Sequence, residues 1–255
     1  MLQYSVLGPF TVEIDGVDRT PQAAKVRQVL ALTLARANQV VSLEALFEEL
    51  WGGSPPRTAV TTAQTYIYQI RRLLARGRGE AEANRILRTV PAGYLLSAEP
   101  EQLDSWRFER AVDRARVVLE GGHTEQASAM LGEALAMWQG SALADVGHGA
   151  LLQRHVTQLD EKRVNALQLR LIADMRLGRH RELIAELKSL VLTYPYHESF
   201  IAQLMVALKE SGRRGEALAV FRRARQVFDD ELGIGPSAQL RHIHHDILSA
   251  DAPAV

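Results

Sequence analysis

The sequence predicts a mainly helical protein with a small amount of β-sheet. Strand-like composition, rich in β-branched and aromatic residues, occurs only in residues 3–14 and 86–96, and helical spacing dominates elsewhere, including everything after Ser97. Within that second part Gly178 and Gly212 lie 34 residues apart in similar segments, which is the spacing of tetratricopeptide-like helical repeats. A mixed N-terminal part and an all-helical C-terminal part are therefore expected.

The first elements are predicted to be strands followed by a helix. Residues 3–14 predict a short antiparallel strand pair, and the Asp15–Gly16 dipeptide after them predicts a turn. From Pro21 to Ala37 apolar residues recur at helical spacing. Asn38 is expected to end this helix.

Two more helices and a hairpin complete the N-terminal part. Ser42 is a good N-cap for a second helix, which Gly52 and the following prolines end. Thr58 to Arg76 is the third helix, and residues 86–96 predict a β-hairpin around a Pro-Ala-Gly turn. Strands, three helices and a hairpin are the layout of a winged helix-turn-helix with an extra N-terminal sheet.

The C-terminal part is predicted to consist of amphipathic helices separated by glycine and proline breaks. Met175–Leu183 resembles Lys209–Ala217, and a weaker third copy begins at Gly122. One helical hairpin cannot bury its apolar face alone, so several copies stack to form a continuous core. We predict two domains, a winged helix-turn-helix in residues 1–96 and tetratricopeptide-like helical repeats in residues 97–255.

The composition excludes several classes of protein. The 255 residues include no cysteine, which excludes disulfides, thiolate catalysis and cysteine-bound zinc or iron–sulfur clusters. No apolar stretch approaches the ~20 residues that cross a bilayer, and the N-terminus does not resemble a signal peptide, so a cytoplasmic protein is expected. The 30 basic and 30 acidic residues balance overall, but residues 1–96 carry 11 Lys+Arg against 8 Asp+Glu. This part is the better candidate for a polyanionic partner.

One face of the third helix is suited to contact DNA. The side chains not needed for its apolar stripe are hydroxyls, amides, a phenol and guanidiniums: Thr61, Thr62, Gln64, Thr65, Tyr68, Gln69, Arg71 and Arg72. Such groups hydrogen-bond base edges and phosphates. No Asp or Glu occurs between Glu49 and Glu80, where a carboxylate would repel the phosphate backbone. A solvated helix face that happens to lack acids is the other interpretation.

Charged groups next to this helix extend the candidate surface. Arg57, Arg76 and Arg78 lie in the same acid-free window, and Arg85 and Arg88 precede the turn of the hairpin. A hairpin in this position can reach the flanking backbone or the minor groove while the helix enters the major groove.

Catalysis and metal binding are not predicted. The sequence contains no G-x-S-x-G, H-E-x-x-H or phosphate-binding G-x-x-x-x-G-K-[ST] pattern. His242, His244 and His245 would point in different directions from one helix, so a solvated terminal helix explains them better than a metal site. We therefore expect neither an enzyme nor a cofactor.

Several short motifs, in a fixed order, resemble those of one family. They are Lys25-x-Arg27-x-x-Leu30, Val41-Ser42, Leu50-Trp51-Gly52, Pro55-Pro56-x-x-Ala59, Tyr66-Ile67, Ile70-Arg71-Arg72-Leu73-Leu74, Gly93-Tyr94-Leu95-Leu96, Asp104-x-x-Arg107-Phe108-Glu109 and Leu232-Gly233-Ile234-Gly235-Pro236-Ser237. The sequence is similar from about Leu2 to Leu248 to the Streptomyces antibiotic regulatory protein family. Its members join an OmpR-like winged helix to a bacterial transcriptional activation domain.

The resemblance implies a recognition helix at Thr58–Arg76, with Thr62, Tyr68, Arg71 and Arg72 nearest the groove, and a wing formed by Arg88 and the Pro91–Tyr94 turn. The predicted DNA-binding residues are Arg57, Thr61, Thr62, Thr65, Tyr68, Gln69, Arg71, Arg72, Arg76, Arg88, Gly93 and Tyr94. Tyr68 and Gln69 stand where many members carry Arg or Ser, a departure that bears on the base preference.

The resemblance also implies a function. The expected protein is a sequence-specific activator of a secondary-metabolite gene cluster that binds direct repeats in promoter DNA as a side-by-side dimer and recruits RNA polymerase holoenzyme with its sigma factor. A winged-helix repressor and a protein-binding repeat adaptor are the alternatives. The acid-free helix with its wing favours DNA binding over the adaptor, and only the resemblance of residues 97–248 favours activation over repression.

Overall fold

The chain begins with a small antiparallel sheet, seen in a computed structural model that describes residues 1–249. The three strands pair in sequence order: β1 (Leu2–Ser5), β2 (Thr11–Ile14) and β3 (Val17–Asp18). The predicted strand pair is confirmed. Asp15 and Gly16 both have positive φ, 53° and 77°, and their turn leads into β3, a two-residue strand too short to leave a pattern in the sequence.

Helices and a second three-stranded sheet follow. They are α1 (Ala24–Ala35), β4 (Val40–Ser42), α2 (Leu43–Trp51), α3 (Ala59–Leu74), α4 (Glu80–Ile86), β5 (Leu87–Val90) and β6 (Gly93–Leu96). The second sheet has the order β4-β6-β5 and is antiparallel. The three predicted helices and the hairpin are confirmed, and β4 and α4 were not predicted. The Ser42 Oγ accepts a hydrogen bond of 3.1 Å from the Ala45 N–H, which confirms the predicted N-cap.

The apolar stripe of α3 determines which of its faces is outward. Ala59, Ala63, Ile67, Ile70 and Leu74 are all buried, and their spacing of three or four residues places them on one side of the helix. This side packs against α1 and α2. The opposite face is left outside the core, and the winged helix-turn-helix prediction is confirmed.

All the named secondary-structure elements between residues 97 and 249 are helices, as predicted. They are α5 (Asp104–Glu120), α6 (Thr124–Leu135), α7 (Ala150–Arg176), α8 (His180–Thr193), α9 (Glu198–Glu210), α10 (Arg214–Val227), a π-helical turn (Phe228–Leu232) and α11 (Ala238–Ser249). Gly122, Gly178 and Gly212 each occupy a turn between two helices with a positive φ of 84°, 75° and 76°. This backbone conformation suits glycine, so the three similar segments share one kind of helix–helix turn.

The residues form two compact units. The first comprises Met1–Arg114 and Glu133–Asn165, and the second comprises Ala115–Gly132 and the described residues from Ala166. The first unit therefore contains the start of α5 and part of α7 in addition to the winged helix. The compact units do not test the domain boundary, so its predicted place between residues 96 and 97 stays a prediction.

Two buried carboxylates hold the first unit together. Asp104 at the start of α5 accepts hydrogen bonds from the backbone N–H groups of Val6 (2.9 Å) and Leu7 (3.1 Å), between β1 and β2. Glu49 on α2 accepts hydrogen bonds of 3.0 Å from the N–H groups of Leu151 and Leu152 in the first turn of α7. Each carboxylate satisfies backbone donors that would otherwise be buried without partners.

Candidate nucleic-acid interface

The outward face of α3 carries the predicted DNA-binding side chains. Thr61, Thr65, Gln69 and Arg72 are exposed, and Tyr68 is 60% exposed. Thr62 is half-buried. The guanidinium carbon of Arg72 lies 5.9 Å from the centre of the Tyr68 ring, a distance at which a cation and an aromatic face attract each other. The face therefore presents a phenol and a cation side by side, with hydroxyls and an amide around them.

Four basic side chains of this region have no carboxylate partners among the described residues, whereas Arg78 pairs with Asp15 at 3.8 Å and Arg85 pairs with Glu82 at 3.1 Å. Arg57, Arg72, Arg76 and Arg88 are exposed, and no ion pair joins any of them to an acid within residues 1–249. By contrast, Arg110 pairs with Glu101 at 2.8 Å in the same unit. Cations without internal partners are available to neutralise phosphates.

Arg71 differs from its neighbours because its guanidinium already makes hydrogen bonds within the protein. It is half-buried, its Nε donates a hydrogen bond of 2.9 Å to the Leu87 carbonyl, and its Nη2 donates one of 2.8 Å to the Thr89 Oγ1. Partial burial lowers the pKa of Arg71 from its usual value, against the smaller opposite effect of Tyr94. Arg71 thus ties α3 to strand β5 of the wing. The prediction that Arg71 lies near the groove stays a prediction, and its guanidinium is already hydrogen-bonded to the wing.

The wing is a hairpin that is exposed in the middle of β5 and at its turn and buried at the start of β6. Arg88 and Thr89 on β5 are exposed, as are Pro91 and Ala92 at the turn. Gly93 and Tyr94 are buried. A Cβ on Gly93 would lie 2.1 Å from the Val41 carbonyl oxygen, and its φ is 147°.

The prediction that Gly93 and Tyr94 belong to the contact surface is therefore corrected. Gly93 is required where the wing approaches β4, because no side chain fits there. Tyr94 packs into the unit, 7% exposed, and its buried ring is not available to DNA. Both residues maintain the shape of the wing.

Two residues beside the predicted surface were missed. Thr89 is the partner of Arg71, and Arg19, just after β3, lines an open groove together with Arg72 and Arg76 of α3. Both depend on tertiary contacts between segments distant in sequence. The excess of basic residues in residues 1–96 was the only signal that pointed towards Arg19.

Of the three C-terminal histidines, one packs on a neighbouring ring and two are exposed. The His244 ring stacks on Phe221 with ring centres 3.9 Å apart, and His242 and His245 are exposed. Within residues 1–249 no group of three or more His, Asp or Glu side chains is placed to hold a metal ion. In the same range no helix combines the length and the apolar character needed to cross a membrane.

Two family models match the chain. Residues 103–248 match the bacterial transcriptional activator domain, and residues 19–96 match the C-terminal domain of transcriptional regulatory proteins. The second match covers α1 to β6, and the first covers α5 to α11. Together they account for nearly all of the described chain.

Characterised proteins resemble the chain over almost its whole length. Regulatory protein DnrI of Streptomyces peucetius is 42% identical over 253 residues, which are 98% of this chain and 93% of the relative. Transcriptional regulator RedD of Streptomyces coelicolor is 36% identical over 250 residues, covering 98% of this chain and 71% of the relative.

A solved structure has the same fold. Mycobacterium tuberculosis EmbR, determined in complex with a low-affinity phosphopeptide, superposes with a TM-score of 0.91 at 32% sequence identity. The superposition covers 98% of this chain and 66% of the EmbR chain. The similarity thus extends from the first sheet through the helical repeats.

Proposed function

The chain belongs to the Streptomyces antibiotic regulatory protein family of transcriptional activators, and we propose that it acts by binding promoter DNA directly and recruiting RNA polymerase to it. This family consists of regulators and not of enzymes. In the proposal, residues 1–96 are the DNA-binding domain and residues 97–255 are the activation domain.

The observation that carries the proposal is the outward, carboxylate-free face of α3. A buried stripe holds the helix in place, and its other side presents Tyr68, Gln69 and Arg72 to solvent. An α-helix fits the major groove of B-DNA, which is about 12 Å wide, and arginine and amide side chains read base edges there. α3 is therefore proposed as the recognition helix.

The surrounding residues divide into three roles. Tyr68, Gln69 and Arg72, with Thr61, Thr62 and Thr65, contact base edges or the adjacent backbone. Arg57, Arg76 and Arg88 neutralise phosphates, since each is exposed and pairs with no acid among residues 1–249. Arg71 sets the position of the wing relative to α3 through Leu87 and Thr89. Contacts to base edges specify the sequence, and contacts to phosphates orient the protein on the duplex.

Two copies are proposed to bind side by side on direct repeats. The major groove presents itself on the same side of the duplex once per turn, about every 10–10.5 base pairs. Two recognition helices separated by one turn therefore enter from the same side. Repeats in the same orientation match a head-to-tail arrangement of the two copies.

Activation is proposed to occur by recruitment. The helical repeats present a surface to RNA polymerase holoenzyme, including its sigma factor, and each ~1.4 kcal/mol of added binding free energy raises promoter occupancy tenfold while occupancy is low. The site of action is the cytoplasm, at the nucleoid. Family membership favours a secondary-metabolite gene cluster as the target.

Selection from a random duplex library with the full chain tests this proposal. Selected duplexes should contain two copies of one motif in the same orientation, about one turn apart. Affinity for them should fall steeply between 50 and 200 mM salt. Absence of enrichment, or an affinity that salt leaves unchanged, would contradict direct DNA binding.

Transcription in vitro with purified holoenzyme tests the proposed recruitment of RNA polymerase. A template that carries the selected repeats upstream of a weak promoter should yield more transcript when the chain is added. The matched control template carries the same promoter with scrambled repeats. A decrease in transcript would assign the protein as a repressor.

A further inference from the structure

An open groove of about 440 Å³ lies where the segment after the first sheet meets α3. Residues 18–23 and Val26 form one wall, and Gln69, Arg72, Leu73 and Arg76 form the other. The groove therefore borders the outward face of α3 directly, since Gln69 and Arg72 belong to both.

The lining of this groove is positively charged. Arg19, Arg72 and Arg76 contribute three guanidiniums, and Asp18 contributes the one carboxylate. The Asp18 Oδ1 is already engaged, because it accepts hydrogen bonds from the Thr20 N–H (2.7 Å) and the Thr20 Oγ1 (2.6 Å). No ion pair joins the three arginines to an acid within the described residues. Three cations that converge without an internal partner favour an anionic ligand.

The start of α1 adds no further negative charge to the groove. The first turn of α1, which begins beside it, contains no acidic residue, and its N-cap Ala23 has no side-chain acceptor. No acidic side chain in that turn offsets the partial positive charge of the helix start. This is a secondary contribution beside the three guanidiniums.

We propose that this groove binds the DNA backbone, with Arg19 as a phosphate contact that joins Arg72 and Arg76 next to the recognition helix. The inference rests on the proposed function and adds a second segment, residues 18–23, to the DNA-contacting surface. Double-stranded DNA is favoured over other anions because the groove continues the face of α3, so a duplex seated on that face brings its backbone alongside.

The salt dependence of binding tests the role of Arg19. Removing one phosphate contact lowers the slope of log affinity against log salt by about 0.9. The affinity ratio of wild type to Arg19→Ala should therefore be roughly 3.5-fold larger at 50 mM than at 200 mM salt. The duplex is one selected with the wild-type full chain.

Arg114→Ala is the matched control for charge. Arg114 is exposed in the same unit, outside the groove, and among the described residues its guanidinium bonds only the Arg110 carbonyl of its own helix, at 3.3 Å. The slope should stay at the wild-type value in this variant. An equal decrease in both variants would show an effect of net charge and would overturn the groove.

The absence of cysteine allows a direct positional test. Gln22→Cys introduces the single cysteine of the chain at an exposed position in the groove wall. An iron–EDTA reagent attached there should cut the backbone of the bound duplex at a defined position. Wild-type protein treated with the same reagent has no attachment site and should give no cleavage.

The outcomes separate the groove from the proposed function. Full DNA binding with no cleavage from position 22 and an unchanged slope in Arg19→Ala would overturn the groove and leave the recognition helix intact. Failure of the wild-type chain to bind any duplex would overturn the proposed function, and the groove with it. Inorganic phosphate, tested without DNA by thermal denaturation at matched ionic strength, should not stabilise the chain. Stabilisation lost in Arg19→Ala, together with an unchanged DNA slope, would assign the groove to free phosphate.

Discussion

The guanidinium of Arg71 on α3 donates a hydrogen bond of 2.9 Å to the backbone carbonyl of Leu87, the first residue of β5. The same side chain reaches the Thr89 Oγ1 at 2.8 Å. The Arg71 side chain thus links α3 directly to strand β5 of the wing. The rigidity of the proposed interface depends on this link, since contacts to bases require a fixed relation between helix and wing.

Arg71→Ala should weaken binding without removing a phosphate contact. The wing loses two hydrogen bonds to its neighbour, so affinity for a selected duplex should fall while the salt slope stays near the wild-type value. Thr89→Val removes the second of these bonds alone and should have a smaller effect, about 0.5–1.5 kcal/mol. Binding titrations across a salt series make the comparison. A decrease of about 0.9 in the slope of Arg71→Ala would show that this guanidinium contacts phosphate after all.

Arg72→Ala should reduce sequence discrimination. If Arg72 makes a bidentate base contact, its loss costs about 1–3 kcal/mol on a selected duplex. The loss should be smaller on a random duplex, where base contacts are absent. Tyr68→Phe keeps the ring under the guanidinium and removes only the hydroxyl, so it separates stacking from hydrogen bonding. Competition titrations give the affinities for the selected and the random duplex. Wild-type discrimination between the two duplexes in Arg72→Ala would contradict the assignment of this face.

Leu74→Ala should destabilise the winged helix rather than alter its surface. The Leu74 side chain is 0% exposed, so truncation leaves a cavity that costs ~2–5 kcal/mol. Urea denaturation followed by far-ultraviolet circular dichroism measures the change. Gln64→Ala, exposed on the same helix, is the control and should shift the unfolding free energy by less than about 0.5 kcal/mol.

His155 on α7 should make stability fall on mild acidification. Burial lowers the pKa of His155 below its usual 6.5, the charge of Lys162 lowers it further, and Glu109 opposes both. The unfolded chain therefore binds a proton at a higher pH than the folded chain does. The contribution is fully present above pH 6.5 and is lost as the pH falls from there towards the lowered pKa, by at most about 1.4 kcal/mol per pH unit.

Urea titrations at pH 7.5 and 5.5 test this effect. Wild type should lose more unfolding free energy between the two values than His155→Gln does, because the variant has no ionisable group at this position. The other histidines are common to both proteins, so they cancel in the comparison. Equal losses would mean that His155 takes up its proton in the folded state as readily as in the unfolded state.

Much of the winged helix could be predicted from local patterns, because α1, α2 and α3 each carry a buried stripe with a clear beginning or end. The short elements β3, β4 and α4 could not, since two to seven residues leave no periodicity to detect. The candidate surface, too, has a part that local patterns predict and a part that they do not. The exposure of Tyr68 and Arg72 follows from the stripe on α3, whereas the engagement of Arg71 depends on Leu87, which only the tertiary fold brings near.

The buried carboxylate of Glu49 has a consequence for any attempt to excise the DNA-binding part. Its oxygens accept hydrogen bonds from the N–H groups of Gly149, Leu151 and Leu152. The carboxylate of Asp104 accepts hydrogen bonds from the N–H groups of Val6 and Leu7 in the same way. A fragment that stops at Leu96 would lose these hydrogen bonds, and water would take the place of the missing partners. We therefore expect the winged helix to be less stable as a fragment than within the full chain.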